Sequence, residues 1–177
     1  LVEPGKGTAE QTATVAGELA REAQPTFKPR SAKIFVDGVI EGGTGYLLEP
    51  YAHKPDYCGE LIWPREELAE MAVALDAAGI QIHFHVIGDG AAKLTVDALE
   101  AAQFKNGARD SRHLMTHLQL IDPEDIPRFK ALGVIGLPQP FWFAAGDYYW
   151  NLALPYLGKE RADRQYPMRS FMEADIM

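Results

Sequence analysis

An α/β fold with a parallel sheet is predicted by three observations. Four short strand-like runs recur along the chain, helical patterns or long connections separate them, and chemistry-bearing residues fall at or near the carboxyl ends of the runs. Four of the five histidines lie in two of these runs, His83 and His85 in QIHFHVIGDG and His113 and His117 in RHLMTHLQL.

Taken in order, residues Thr8 to Ala23 read as a helix opened by a Thr8-x-x-Gln11 capping box, with Ala9, Ala13, Ala16 and Ala20 on its buried stripe. AKIFVDG follows as a short strand. Gly38 to Trp63 is rich in glycine and aromatics and reads as a long loop, a feature usually functional or built around a ligand. Pro64 then opens a helix with the stripe Leu68, Met71, Ala72 and Leu75, ended by Gly79. A strand over 80–86 leads to a helix with Ala91, Leu94, Thr95, Ala98, Leu99 and Ala102 on one face. A strand over 113–118 leads to Asp122 and Pro123, read as an N-cap and first-turn proline of a helix that carries Ile126 and Phe129 and stops at Gly133. A strand over 134–137 closes the pattern.

Composition narrows the class. The 177 residues, 47% hydrophobic and 24% charged, suffice for one ordinary core. A net charge of −8 disfavours a nucleic-acid partner, which asks for a basic face. No apolar run approaches the roughly 20 residues of a membrane span, so no membrane partner is expected. The one cysteine, Cys58, cannot close an intrachain disulfide, which fits a reducing, cytoplasmic compartment.

His85 and His117 stand 32 positions apart, about one strand-helix-strand repeat. They are expected at equivalent depth on neighbouring parallel strands, which lie about 4.8 Å apart, close enough for two imidazoles to share one ion. A core imidazole bonded to a carbonyl is the alternative. His83 shares a strand face with His85 and is read as a pocket residue or a support for a ligand, with plain packing as its rival. His113 is read as structural and His53 as solvated. Lys33 is a strand-end lysine that would snorkel to water or pair with a carboxylate such as Asp37. Asp89 holds the first turn of its helix or touches substrate. Gln139 and the aromatics after the last strand, Trp142 among them, line an apolar substrate pocket, with buried packing or an exposed interface as the alternatives.

The runs KIFVDGVIEGGTGYLLEPY, DAAGIQIHFHVIGDGAAKLTVDALEA and RHLMTHLQLIDPEDIPRFKALGVIGLPQP together resemble the amidohydrolase superfamily, specifically its N-substituted formamide deformylase-like branch. The similarity covers nearly everything from Lys33 to Gln139. It implies a fragment of a (β/α)8 TIM barrel over roughly strands four to seven, whereas local pattern alone leaves an open doubly wound sheet equally possible. Residues 1–177 would then be a partial metal-dependent hydrolase domain lacking strands one to three and strand eight.

The resemblance also implies roles. Lys33 matches a strand-four lysine, often carboxylated by carbon dioxide, that bridges two divalent metals. His85 and His117 match the histidine ligands of strands five and six, although Thr116 stands where the family commonly has glutamate. The His-x-His pair of strand one and the proton-transferring aspartate of strand eight have no counterpart, and no catalytic residue is assigned. The parent protein is expected to be a zinc-type amidohydrolase that cleaves a carbon–nitrogen bond in a small-molecule amide, N-formyl compound or cyclic amide, and this piece alone to be weak or inert. A non-catalytic metal-binding or self-associating half barrel is the second reading, and a metal-dependent phosphoesterase the third. A half barrel exposes edges and interior, so it is expected to form homo-oligomers or pair with the missing segments.

Overall fold

Strand residues of alternating burial and helices with one apolar stripe can only bury both sets by stacking in layers. The computed structural model, which describes residues 1–22, 26 and 30–176, does so with four strands in one parallel sheet. These are β1 (Ser31–Phe35), β2 (Gln81–Val86), β3 (Leu114–His117) and β4 (Ile135–Pro138), in the order β1-β2-β3-β4. The helices α1 (Ala9–Arg21), α2 (Arg65–Ala77), α3 (Asp89–Asn106) and α4 (Ile126–Ala131) alternate with them. Strands in sequential parallel order with the helices on one face fit consecutive units of a (β/α)8 barrel.

Each helix starts and stops for a local reason. The Thr8 hydroxyl accepts the Gln11 N–H while the Gln11 side chain accepts the Thr8 N–H, so the capping box is complete. The expected end of this helix at Ala23 lies outside the described residues. α2 begins directly after Pro64, and Gly79, at φ +75°, takes the left-handed turn after its end. The apolar stripes of α2 and α3 are buried as their periodicity predicts. α4 differs from expectation. Asp122 caps a turn, its carboxylate accepting the Glu124 N–H at 3.0 Å, and the α-helix begins a turn later at Ile126. The Asp-Pro pair thus starts a tight turn, a role aspartate fills as readily as helix capping.

The helices cover one face of the sheet. Ile34, Ile82, Phe84 and Met115 are fully buried there among Leu68, Leu75 and Phe129, each such side chain contributing about 1.5–3 kcal/mol by leaving water. The opposite face, the barrel's interior side, carries Lys33 and Phe35 of β1 in register with His83 and His85 of β2. It is open: Phe35 and Leu137 are 40% and 38% exposed.

A second apolar cluster lies beyond the carboxyl ends of the strands. Ile40, Leu47 and Tyr51 from the long loop pack with Ile87, Leu120 and residues of the helical segment after β4, which comprises a 3-10 turn (Pro140–Phe143), a π-helical turn (Tyr149–Ala153), α5 (Leu154–Leu157), α6 (Lys159–Asp163) and α7 (Met168–Ala174). The loop over 38–63 therefore has a core of its own. Arg161 fastens it further by donating to the carbonyls of Glu49 and Pro50.

The sheet's two edges are touched by the chain itself. Val2 forms a parallel bridge to Ile34 on the outer edge of β1, its N–H donating to the Lys33 carbonyl at 2.8 Å, so strand-like pairing precedes α1 rather than beginning after it. On the outer edge of β4, the Gly136 N–H donates to the Ile176 carbonyl at 2.7 Å.

Candidate metal centre

The site is built from the bottom of the long loop upward. Two residues past the end of β1 stands Asp37, only 1% exposed. Its Oδ1 accepts the Ile87 N–H at 3.0 Å, and its Oδ2 accepts those of Gly88 at 2.8 Å and Tyr46 at 3.0 Å. Burial pushes its carboxyl up to about 7, against the pull of those three donors. Asp37 therefore ties the loop to the end of β2, and Lys33 is left to a different environment. Of the two alternatives for the Lys33 ammonium, the pair with Asp37 does not form: the carboxylate is saturated by backbone donors, and the ammonium lies 5.1 Å from the centre of the Phe35 ring.

The loop in turn orients His85. Its Nε2 lies 3.0 Å from the Gly38 carbonyl, which can only accept, so Nε2 carries the proton and Nδ1 keeps a lone pair. His117 does the reverse. Its Nδ1 meets the Gln139 side-chain oxygen at 2.6 Å and donates to it, which leaves Nε2 with the lone pair. The two rings stand edge to face with centroids 4.5 Å apart. A histidine that ligates a metal commonly spends its other N–H on an oxygen in this way.

Equivalent depth is not how the rings meet. Val86, not His85, is the register partner of His117. The backbone corrects the offset: His117 (φ +73°) and Leu118 (φ +52°) both adopt left-handed conformations that L-residues rarely take. His117, next along β3 from the inward-facing Thr116, thus reaches His85 at the strand's end.

Electrostatics keep these rings uncharged. Burial lowers the His85 pKa to about 4, with the charges of His117 and Lys33 adding to the shift, and burial also lowers those of His83 and His117. Desolvation lowers Lys33 as well. A folded pKa below the unfolded value of about 6.5 means that His85 costs no stability above pH 6.5. As pH falls from 6.5 to about 4 the unfolded chain takes up a proton that the folded chain refuses, and stability is lost across that window. The expected result is a stability difference between wild type and His85→Gln that shifts by about 2–3 kcal/mol in favour of the variant as pH drops through the window. Denaturant titrations at pH 7.0, 5.5 and 4.5 check this, and a pH-independent difference would refute it.

The other sequence-predicted residues have contacts of their own. His83 faces Lys33 across β1 and β2, and its Nε2 is buried with no partner among the described residues. Asp89 opens α3, where its Oδ1 accepts the N–H groups of Gly90 and of Leu48 in the long loop, so it ties the loop down as well as meeting the helix terminus. Trp142, 42% exposed, sits against Phe141 and Tyr148 with ring centroids 5.3 and 5.7 Å away. The Trp142 backbone N–H donates to the Gln139 carbonyl at 3.1 Å, linking the aromatic segment to the residue that orients His117.

Sequence reasoning missed a polar network beside these aromatics. The Tyr148 hydroxyl donates to Glu41 at 3.0 Å and receives the amide of the buried Gln119, also at 3.0 Å. Gln119 lies two residues beyond His117, at the strand end where functional groups gather, and that position was the available signal.

His113 lies at the opposite end of the sheet. Its Nδ1 accepts the Ile82 N–H at 3.0 Å, so Nε2 donates to Asp76 at 3.0 Å, and Arg109, Ser111 and Asn106 complete that buried carboxylate's shell. His53 is exposed on one side and packs its ring against Tyr156 at 4.4 Å.

Among the described residues no three His, Cys, Asp or Glu side chains come together as a cation site. None of the described helices is long and apolar enough to cross a membrane.

Comparison with known proteins bears on the family and the fold. The model of the amidohydrolase family matches residues 7–177. YtcJ of Bacillus subtilis (strain 168), which carries the name of an amidohydrolase, is 29% identical over 160 residues, covering 90% of this chain and 29% of YtcJ. The crystal structure of an uncharacterized metal-dependent hydrolase from Pyrococcus furiosus superposes with a TM-score of 0.74 at 25% identity, over 92% of this chain and 33% of that one. A second uncharacterized metal-dependent hydrolase, from Pyrococcus horikoshii OT3, gives 0.73 at 23% identity over 92% and 32%, a likeness of fold. The chain thus spans about a third or less of each of these proteins. A match over nearly the whole of the sequence, on a sheet of this topology, makes the chain a member of the amidohydrolase family.

Proposed function

We propose that this chain supplies part of the metal centre of a hydrolase that cleaves a carbon–nitrogen bond in a non-peptide amide, N-formyl compound or cyclic amide, in the manner of the N-substituted formamide deformylase-like branch. The observation that carries the proposal is the facing pair of neutral imidazoles, each with one nitrogen spent on an oxygen and the other holding a lone pair. Nitrogen donors of this kind suit zinc. When bound, the divalent cation would polarise the scissile carbonyl and lower the pKa of its water to about 7.

The chain's own residues have distinct tasks. His85 and His117 hold the ion, Gln139 and the Gly38 carbonyl fix their rings, and Lys33, carboxylated by carbon dioxide, supplies the oxygen ligand at the base of the site. Trp142 and its aromatic neighbours offer apolar surface to the substrate. The histidines and Lys33 make up half a centre, which favours a second reading of this piece by itself as a metal-binding, non-catalytic half barrel that associates through its open face.

Elemental analysis of protein purified without chelator tests the proposal. Near-stoichiometric zinc is expected in the wild type, and its loss in both His85→Ala and His117→Ala. Gln139→Ala, which removes only the support of His117, is expected to weaken metal binding by about 10–100-fold. Absence of metal from the wild type, or its retention in both histidine variants, would overturn the assignment. Hydrolysis of formamides by a metal-loaded assembly that includes this chain separates the catalytic reading from the half-barrel one.

A further inference from the structure

Two polar groups on the open face of the sheet lack partners. The His83 Nε2 is buried and makes no hydrogen bond among the described residues. Lys33, its register partner on β1, makes no hydrogen bond or ion pair among the described residues, only the approach to the Phe35 ring. Buried imidazole nitrogens are rarely orphaned, because leaving one unsatisfied costs about 1–3 kcal/mol. The pair faces each other across neighbouring strands on one face, yet each remains unbonded.

We propose that His83 is the positioning residue for carboxylated Lys33, donating its Nε2–H to an oxygen of the carbamate. This inference rests on the metal-centre reading above. A lysine terminus offers only hydrogens when charged, whereas a carbamate on the same nitrogen offers two acceptor oxygens and extends the side chain. One oxygen meets the buried N–H of His83, and the other stays free toward the mouth of the sheet, where His85 and His117 lie.

The modification balances without a redox partner. The lone pair of the neutral Lys33 amine attacks the carbon of carbon dioxide, an N–C bond forms, and one C=O electron pair moves onto oxygen. One proton leaves the nitrogen for solvent, so amine plus carbon dioxide becomes carbamate plus a proton.

The test is carbon-13 NMR of the purified chain equilibrated with 13C-bicarbonate and zinc, with metal content and circular dichroism read on the same samples. The wild type is expected to show a carbamate resonance that Lys33→Ala abolishes. His83→Ala is expected to reduce its occupancy about tenfold, the effect of losing one hydrogen bond to a charged acceptor, and His83→Gln, which keeps an N–H at a similar reach, to restore it. Equal occupancy in wild type and folded His83→Ala would overturn the inference. So would a wild type that binds zinc through His85 and His117 but carries no carbamate, with the metal centre left standing. Absence of both zinc and carbamate would take down the metal centre and the inference together.

Discussion

Asp37→Ala is expected to lower stability by about 3–5 kcal/mol, because it leaves three buried N–H groups without an acceptor at about 1–3 kcal/mol each, less what entering water restores. The donors belong to Tyr46, Ile87 and Gly88, so the loss falls on the joint between the long loop and the end of β2. It also reaches the histidines, since Gly38, the next residue, supplies the carbonyl that orients His85. Asp37→Asn keeps one acceptor and turns an amide toward the remaining donor, and is expected to lose about half as much. Urea titration gives the energies, and amide hydrogen exchange at 46, 87 and 88 gives the location. Unchanged protection at those three amides in Asp37→Ala would sink the argument.

Gly88→Ala is expected to be at least as damaging for a purely steric reason. Gly88 has an ordinary backbone, φ −83° and ψ 154°, so alanine meets no conformational penalty there. A β-carbon at this position would instead stand 1.9 Å from the Tyr46 carbonyl oxygen and 2.5 Å from its carbon. Backbone, not a flexible side chain, would have to retreat. With it would go the Tyr46 O to Ala91 N–H bond and the register of Asp37 on Gly88. A loss above about 3 kcal/mol follows, which for a chain of this length lowers the melting temperature by about 2–4 °C per kcal/mol. Gly43→Ala is the control, since Gly43 sits at φ +68° with open space around its would-be β-carbon and should cost only about 1 kcal/mol. Equal melting temperatures for the two variants would show that the loop does not press on the α3 terminus.

Both predictions concern contacts that a linear reading does not reveal. Strands and helix stripes are legible in the sequence because periodicity is local: Leu68, Met71, Ala72 and Leu75 need only their own helix to declare a face. The placing of His85 and His117 on neighbouring strand ends follows from one repeat of spacing, but the one-residue offset that the left-handed backbone closes does not. The role of Asp37 does not, because its three donors lie 9, 50 and 51 positions away and face it only once the loop has folded back. The same reason hid Gln119 and Tyr148, 29 positions apart, and turned one alternative for Lys33, the pair with Asp37, into two separate environments. The barrel class was legible only through family resemblance, since four βα units serve an open sheet and a closed barrel equally well.

The left-handed backbone at His117 and Leu118 carries a wider consequence. Two consecutive non-glycine residues in that region cost about 1–2 kcal/mol each relative to relaxed strand geometry, and glycine at 117 would relieve part of it while removing the imidazole. With the metal-ligand role proposed for His117, selection for robustness and selection for chemistry pull this position in opposite directions. A stabilising replacement found there in a mutational screen would mark the point at which the scaffold becomes sturdier as it loses its purpose.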